Sequence, residues 1–180
     1  MRRDIRDSFA GMTGRAEGVA LELELSVVGA GGCGALANRA VYLWQNDAAG
    51  DYSLYALPQA NYLRGLQPAD ARGRVRFTAI VPGCYGGRYP HCHFEVFENT
   101  DAALAGARPL LVSQLAFPEA ECRAIYAGDA RYGESLRNLE RLPLSRDFVF
   151  GDTGAAGQVV SMRGDQARGY AGSATIAVGA

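Results

Sequence analysis

Val19–Ala30 reads VALELELSVVGA. Leu21, Leu23 and Leu25 alternate with Glu22 and Glu24, a period of two that makes a half-buried strand. The same reading extends outward. AGGCGALAN is a loop by its glycines, RAVYLWQND a second strand, and AAGD its turn. After a polar loop, GRVRFTAIV alternates again, with Val75, Phe77 and Ile80 toward a core, until Pro82-Gly83 breaks it. HCHFEVF and RPLLVSQLAF are two further strands, and the tail GSATIAVGA a closing one. Helical signals are few. FPEAECRAIYAG has Pro118 at a helix start, acids in the first turn and Gly128 past the end. YGESLRNLERL suits a second short helix. The expected architecture is all-β: one antiparallel sandwich or barrel with long loops and one or two short helices.

At 180 residues a single domain spanning 1–180 is expected. Such a chain buries roughly 70% of its unfolded surface and needs no disulfide or structural metal for a core. A net charge of -1 offers no field for nucleic acid or an anionic membrane, and no basic run interleaves with aromatics. No apolar run approaches the length of a membrane helix. The N-terminus, MRRDIRDSFAGM, has no apolar stretch behind its arginines and does not read as a secretory signal. As given, the chain is expected in the cytoplasm, and outside it only if a leader has been removed. Cys33, Cys84, Cys92 and Cys122 form no CxxC pair, so a zinc knuckle is not expected.

The chemistry concentrates in Pro82–Glu98, PGCYGGRYPHCHFEVFE, which holds both histidines of the chain. On a strand His91 and His93 share a face, with Cα atoms roughly 6.6 Å apart, and two imidazoles so placed can bind one metal. Ordinary strand-edge histidines would look the same, but the neighbours are unusual. Arg88 lies three residues before His91, Tyr85 six before, and glycines let the backbone approach closely. An arginine here suits a site that accumulates negative charge better than one that binds a bare dication. With no third histidine, further ligands must be Asp, Glu or Tyr. Holding a phenolate at pH 7 costs roughly 4 kcal/mol, which ferric iron can supply and Mg²⁺ or Ca²⁺ cannot. Tyr52 and its neighbour Tyr55, and Tyr85 and its neighbour Tyr89, are rival phenols. Trp44 and Phe94 read as core, and Cys92 as packing on the face away from the histidines.

Three motifs in order, G-x-Y-S at Gly50–Ser53, P-G-x-Y at Pro82–Tyr85 and R-x-x-H-x-H-F at Arg88–Phe94, resemble the intradiol ring-cleavage dioxygenases, the catechol 1,2- and protocatechuate 3,4-dioxygenase group. The likeness runs over about residues 39–118. RNLERLPLSRDFVFGDTG near the end is similar to one bacterial branch of that family. The resemblance implies a prealbumin-like β-sandwich and a non-haem Fe(III) held by Tyr52, Tyr85, His91 and His93. It favours Tyr52 over Tyr55 and Tyr85 over Tyr89. It implies a catalytic Arg88 that stabilises developing charge, a Gln114 that orients substrate, and a Tyr85 that releases the metal and takes up a proton. The implied partners are a catechol-type diol and O2, the implied product is a muconate-type diacid, and a homodimer is compatible with it.

The chain also departs from the family. The span from Tyr85 to His91 is shorter, so a more open rim is expected. The helical N-terminal dimerisation region is missing, and more residues are expected before RRDIRDS. Asn46 stands where related secreted members carry a cysteine, which leaves Cys33 without that partner, and Cys84 and Cys122 are the remaining pair to consider. Two other readings compete. His91, His93 and Glu98 fit the H-x-H-x4-E of a cupin, which normally has a further histidine. ADARGRVRFTAIVPGCY also resembles transthyretin-like β-sandwich modules, where the motif is only turn and core.

Overall fold

The computed structural model describes residues 1–179. Eight strands form two four-stranded sheets. In chain order they are β1 (Ala20–Gly29), β2 (Ala40–Trp44), β3 (Arg64–Pro68), β4 (Arg74–Ile80), β5 (His91–Phe97), β6 (Leu111–Ala116), β7 (Ser161–Asp165) and β8 (Gly169–Val178). One sheet runs β4-β1-β8-β7 and the other β3-β2-β5-β6. The helices are α1 (Thr100–Leu104), α2 (Glu119–Gly128) and α3 (Ser135–Arg141), one more than expected.

The alternation of β1 holds along its length. Leu21, Leu23, Leu25 and Val27 are buried, while Glu22 and Glu24 face out to Arg3 and Arg76. Facing them across the sandwich are Val41 and Leu43 of β2 and Cys92, Phe94 and Val96 of β5. These inward residues of the second sheet leave its outer face free for other use.

Four features escape the sequence reading. β3 holds Gly65 and Pro68 and has no apolar alternation. Gly65 is required there because a Cβ would come within 2.4 Å of Ile5 Cγ2. β7 is an exposed edge strand, so burial leaves no pattern in it. α1 buries no residue and rests on its cap, with Asn99 Oδ1 accepting from Ala102 N at 2.9 Å. Finally, β8 pairs parallel with β1, from Leu21↔Tyr170 to Gly29↔Val178, so the sandwich is not purely antiparallel. A strand that returns from so far along the chain has no hairpin to fix its direction.

All four cysteines are free thiols, so the Cys84–Cys122 pairing does not occur. Cys84 instead turns its Sγ toward its own loop and donates to Arg88 O at 3.4 Å. Burial pushes the thiols of Cys84, Cys92 and Cys122 up to about 12, and Cys33 is exposed. A thiol titration of the native protein at pH 8 should therefore find one reactive group, Cys33, and four after unfolding. Rapid reaction of two or more native thiols would contradict this packing.

Candidate metal centre

Strand register gathers the first residues of the site. β2 pairs with β3 and β5, and β5 with β6, so that Arg64, Trp44, His93 and Gln114 stand opposite one another in a single cross-strand row. This row is on the outer face, because the alternate residues fill the core. His91 lies on the same face two residues before His93.

Two loops bring the tyrosines to the row. Asp47 organises the first. Its carboxylate accepts from Ala49 N, Asp51 N and Tyr62 OH at 2.8–3.0 Å, and its carbonyl accepts from Gly83 N at 3.0 Å. Asn46 donates from Nδ2 to Asp47 O and Gly83 O and so ties the two loops together. The seam is too tight for side chains. A Cβ on Gly83 would meet Ala48 O at 2.5 Å, and one on Gly50 would meet Tyr85 Cβ at 3.0 Å. Arg64 holds the Tyr52 turn, donating from Nη2 to Ser53 O at 2.8 Å and from Nε to Ser53 Oγ at 3.1 Å. α3 holds the other loop, with Ser135 Oγ accepting from Cys84 N and Asn138 Nδ2 donating to Cys84 O.

Four polar atoms then converge. Tyr52 OH lies 3.3 Å from His91 Nε2 and 3.1 Å from His93 Nε2, the two Nε2 atoms are 3.1 Å apart, and Tyr85 OH is 3.5 Å from His91 Nε2. His91 Nδ1 donates to Tyr89 O at 2.6 Å, which turns the lone pair on Nε2 toward the cluster. Burial, then the nearby Arg88, lowers His91 to about 3, and the same two influences with Arg64 lower His93 to about 4. Both imidazoles are thus neutral and ligand-ready at pH 7. Burial, then the Tyr85 phenol, pushes the Tyr52 phenol well above its ordinary value, so Tyr52 ionises only with help. Donors about 2.0–2.1 Å from one metal at near-tetrahedral or octahedral angles sit about 2.9–3.4 Å from each other, and the spacing here fits that closely. Two imidazoles and two phenols suit a strong Lewis acid such as ferric iron.

The rivals lie elsewhere. Tyr89 does not join the histidine face; its side chain is buried in the core and only its carbonyl serves His91. Tyr55 is exposed, edge-on to Tyr52 and stacked on Arg64. Glu98 is not near the histidines in any bonded sense: its carboxylate takes Arg39 Nη1 at 2.7 Å on the surface, which removes the cupin triad. Among the described residues no cluster of three His, Cys, Asp or Glu side chains could hold a metal. Phe94 and Cys92 are core as expected.

Arg88 and Gln114 reach the same place from the side. Arg88 Nη1 is 3.3 Å from His91 Nε2, and its Nη2 donates to Gln114 Oε1 at 2.5 Å. The sequence reading gave no role to Asp147, although it lies in the family-like tail. Its Oδ2 accepts from Arg88 Nε at 3.0 Å and Tyr89 N at 2.8 Å, and Oδ1 from Val149 N at 2.9 Å. Burial works to raise the Asp147 carboxyl, but these hydrogen bonds outweigh it and hold it below the usual carboxylate range. Trp44 is not core as expected but lies half-buried on the outer face: its ring lies flat against His93, centroids 4.8 Å apart and planes 6° apart, and fixes the imidazole. Only strand register reveals that contact.

The chain shares its fold with intradiol ring-cleavage dioxygenases. It matches one from Tetranychus urticae over 99% of its own length and 86% of that chain, with a TM-score of 0.80 and 21% identity. The dioxygenase domain of a dioxygenase and carbohydrate-binding protein fusion from Streptomyces sp. SirexAA-E matches with a TM-score of 0.62 and 23% identity, over 98% of this chain and 88% of that one. Catechol 1,2-dioxygenase from Pseudomonas arvilla C-1 matches with a TM-score of 0.60 and 22% identity, and the chain covers 56% of its length and 98% of its own. No protein-family model and no curated protein matches the sequence. At these identities the likeness establishes the fold.

The Arg88–Asp147 pair is buried on both sides, with side chains 8% and 0% exposed. Asp147→Ala leaves the guanidinium without its counter-charge and should destabilise the protein by about 3–5 kcal/mol in urea unfolding. A loss below about 1 kcal/mol, the range of an exposed pair, would contradict this arrangement.

Proposed function

We propose that the chain is an intradiol ring-cleavage dioxygenase. It would break the C–C bond between the two hydroxyl-bearing carbons of a catechol-type diol, add one atom of O2 to each of them, and release a cis,cis-muconate-type diacid. In this reading Tyr52, Tyr85, His91 and His93 hold a non-haem Fe(III). The observation that carries it is the convergence of two phenols and two neutral imidazoles within 3.1–3.5 Å, on the fold these enzymes share. Ferric iron bound there would supply the Lewis acidity that ionises the tyrosines and the diol and makes the ring reactive toward O2.

The protein's own residues then have definite tasks. Arg88 faces the donor atoms with a fixed positive charge and stabilises the negative charge that builds up on the reacting diol. Asp147 and Gln114 hold that guanidinium in place before substrate arrives, so little reorganisation is needed. Tyr85, the phenol with fewer contacts to the imidazoles, would take up a proton at its oxygen as the diol arrives, and Tyr52, close to both Nε2 atoms, would go on holding the metal. Trp44 keeps His93 aligned. A transthyretin-like module would need the turns and the core but none of this convergence.

The iron-loaded protein should be coloured by a tyrosinate-to-iron band that moves to longer wavelength when catechol is added without O2. A colourless protein with stoichiometric iron would remove the tyrosines from the ligand set. Tyr85→Phe should keep iron and shift the band, and His91→Ala should lose the metal. Arg88→Ala should still bind catechol in the anaerobic titration yet turn over at least tenfold more slowly, about 1.4 kcal/mol of lost transition-state stabilisation. Undiminished turnover would take Arg88 out of the chemistry.

A further inference from the structure

The donor row does not end at the metal centre. One step along the strands, the same outer face carries Leu66, Tyr42 and Glu95 in register, and a further step brings Phe97. Each step is roughly 6.6 Å. Over these rows α1 packs against β3 and β5 and raises Leu104 as a wall. Two hollows of about 590 and 500 Å³ result, sharing Tyr42, Leu66 and Leu104. Leu54, from the turn that carries Tyr52, lines the upper one, and so does Arg64 from the donor row. The trough thus begins one row of side chains and one turn away from the candidate donors. Its volume is that of a site for a drug-sized molecule.

The lining also defines the chemistry of an occupant. The lining is mainly apolar, with Phe9, Met12 and Leu54 in the upper hollow and Phe97 and Pro109 in the lower one. The basic groups at the upper end are already engaged: Arg64 bonds Ser53, and Arg2 donates to the carbonyls of Asn61 and Arg64. Glu95 lines the lower hollow and disfavours an anion. Tyr42 stacks on Trp44, which stacks on His93, so one aromatic ladder connects the trough to a metal donor. A neutral, apolar or aryl substituent reaching two steps, about 13 Å, would be covered along its length.

Resting on the dioxygenase reading, we propose that the substrate is a large catechol whose neutral apolar or aryl substituent lies in this trough while its diol faces Tyr52, Tyr85, His91 and His93. The trough then serves as the specificity element, and Leu66 and Leu104 as its opposing walls.

The test compares catechol with 4-(4-phenylbutyl)catechol by oxygen uptake. The native chain should favour the substituted diol at least tenfold in kcat/KM. Leu66→Arg and, from the exposed wall, Leu104→Arg should each bring that ratio toward one. A native ratio near one, or an unchanged ratio in both variants, overturns the proposal. Binding to the iron-free chain gives an independent readout, because Trp44 is the sole tryptophan. Its fluorescence should respond to the substituted diol at concentrations at least tenfold below those needed for catechol, and Leu66→Arg should abolish the difference. If neither diol is turned over, the dioxygenase reading fails while this fluorescence difference still upholds the trough; no difference overturns the trough as well.

Discussion

The pairing of β5 between β2 and β6 is the constraint on which the site depends. Its period of two sends Cys92, Phe94 and Val96 inward and His91 and His93 outward, so the strand that closes the core also presents the imidazoles. A slip of one residue would exchange the two sets, burying histidines without partners and exposing the apolar residues. The core therefore enforces the register, and the register enforces the site. The same pairing sets Trp44 against His93 and Gln114 beside it.

The second requirement is that two loops meet over that face without room for error. Gly50 and Gly83 let the backbones touch, and Asn46 and Asp47 supply the hydrogen bonds across the contact. The tyrosines then approach from above the sheet, while the arginine comes from the side. Burying Arg88 would cost several kcal/mol if it were unpaired. Asp147 answers that cost, and its other oxygen anchors the following loop through Val149 N. The result is a positive charge held against two neutral imidazoles, an arrangement that favours anionic ligands over a bare dication.

The outer face carries more than the candidate metal centre. Its donor row and the apolar rows beneath it lie on one surface, connected by the stack of His93, Trp44 and Tyr42. The candidate donors and the apolar rows are thus built on the same strands. This economy follows from the sandwich, whose inner faces are fully used by the core.

Much was legible in the residues. Alternation located β1 and β4, and the H-x-H pair with Arg88 pointed to a metal and an anionic reactant. The family-like motifs singled out Tyr52 and Tyr85, which local pattern could not separate from Tyr55 and Tyr89. Strands and helices that bury little, β7 and α1, left no periodic signal, and β3 was hidden by a glycine needed for close packing. The free state of Cys84, the parallel pairing of β8, the role of Asp147 and the stacking of Trp44 were not legible. Each depends on a partner far along the chain, and alternation reports only which way a side chain faces. What that side chain meets is set by the register and packing of segments that the sequence keeps apart.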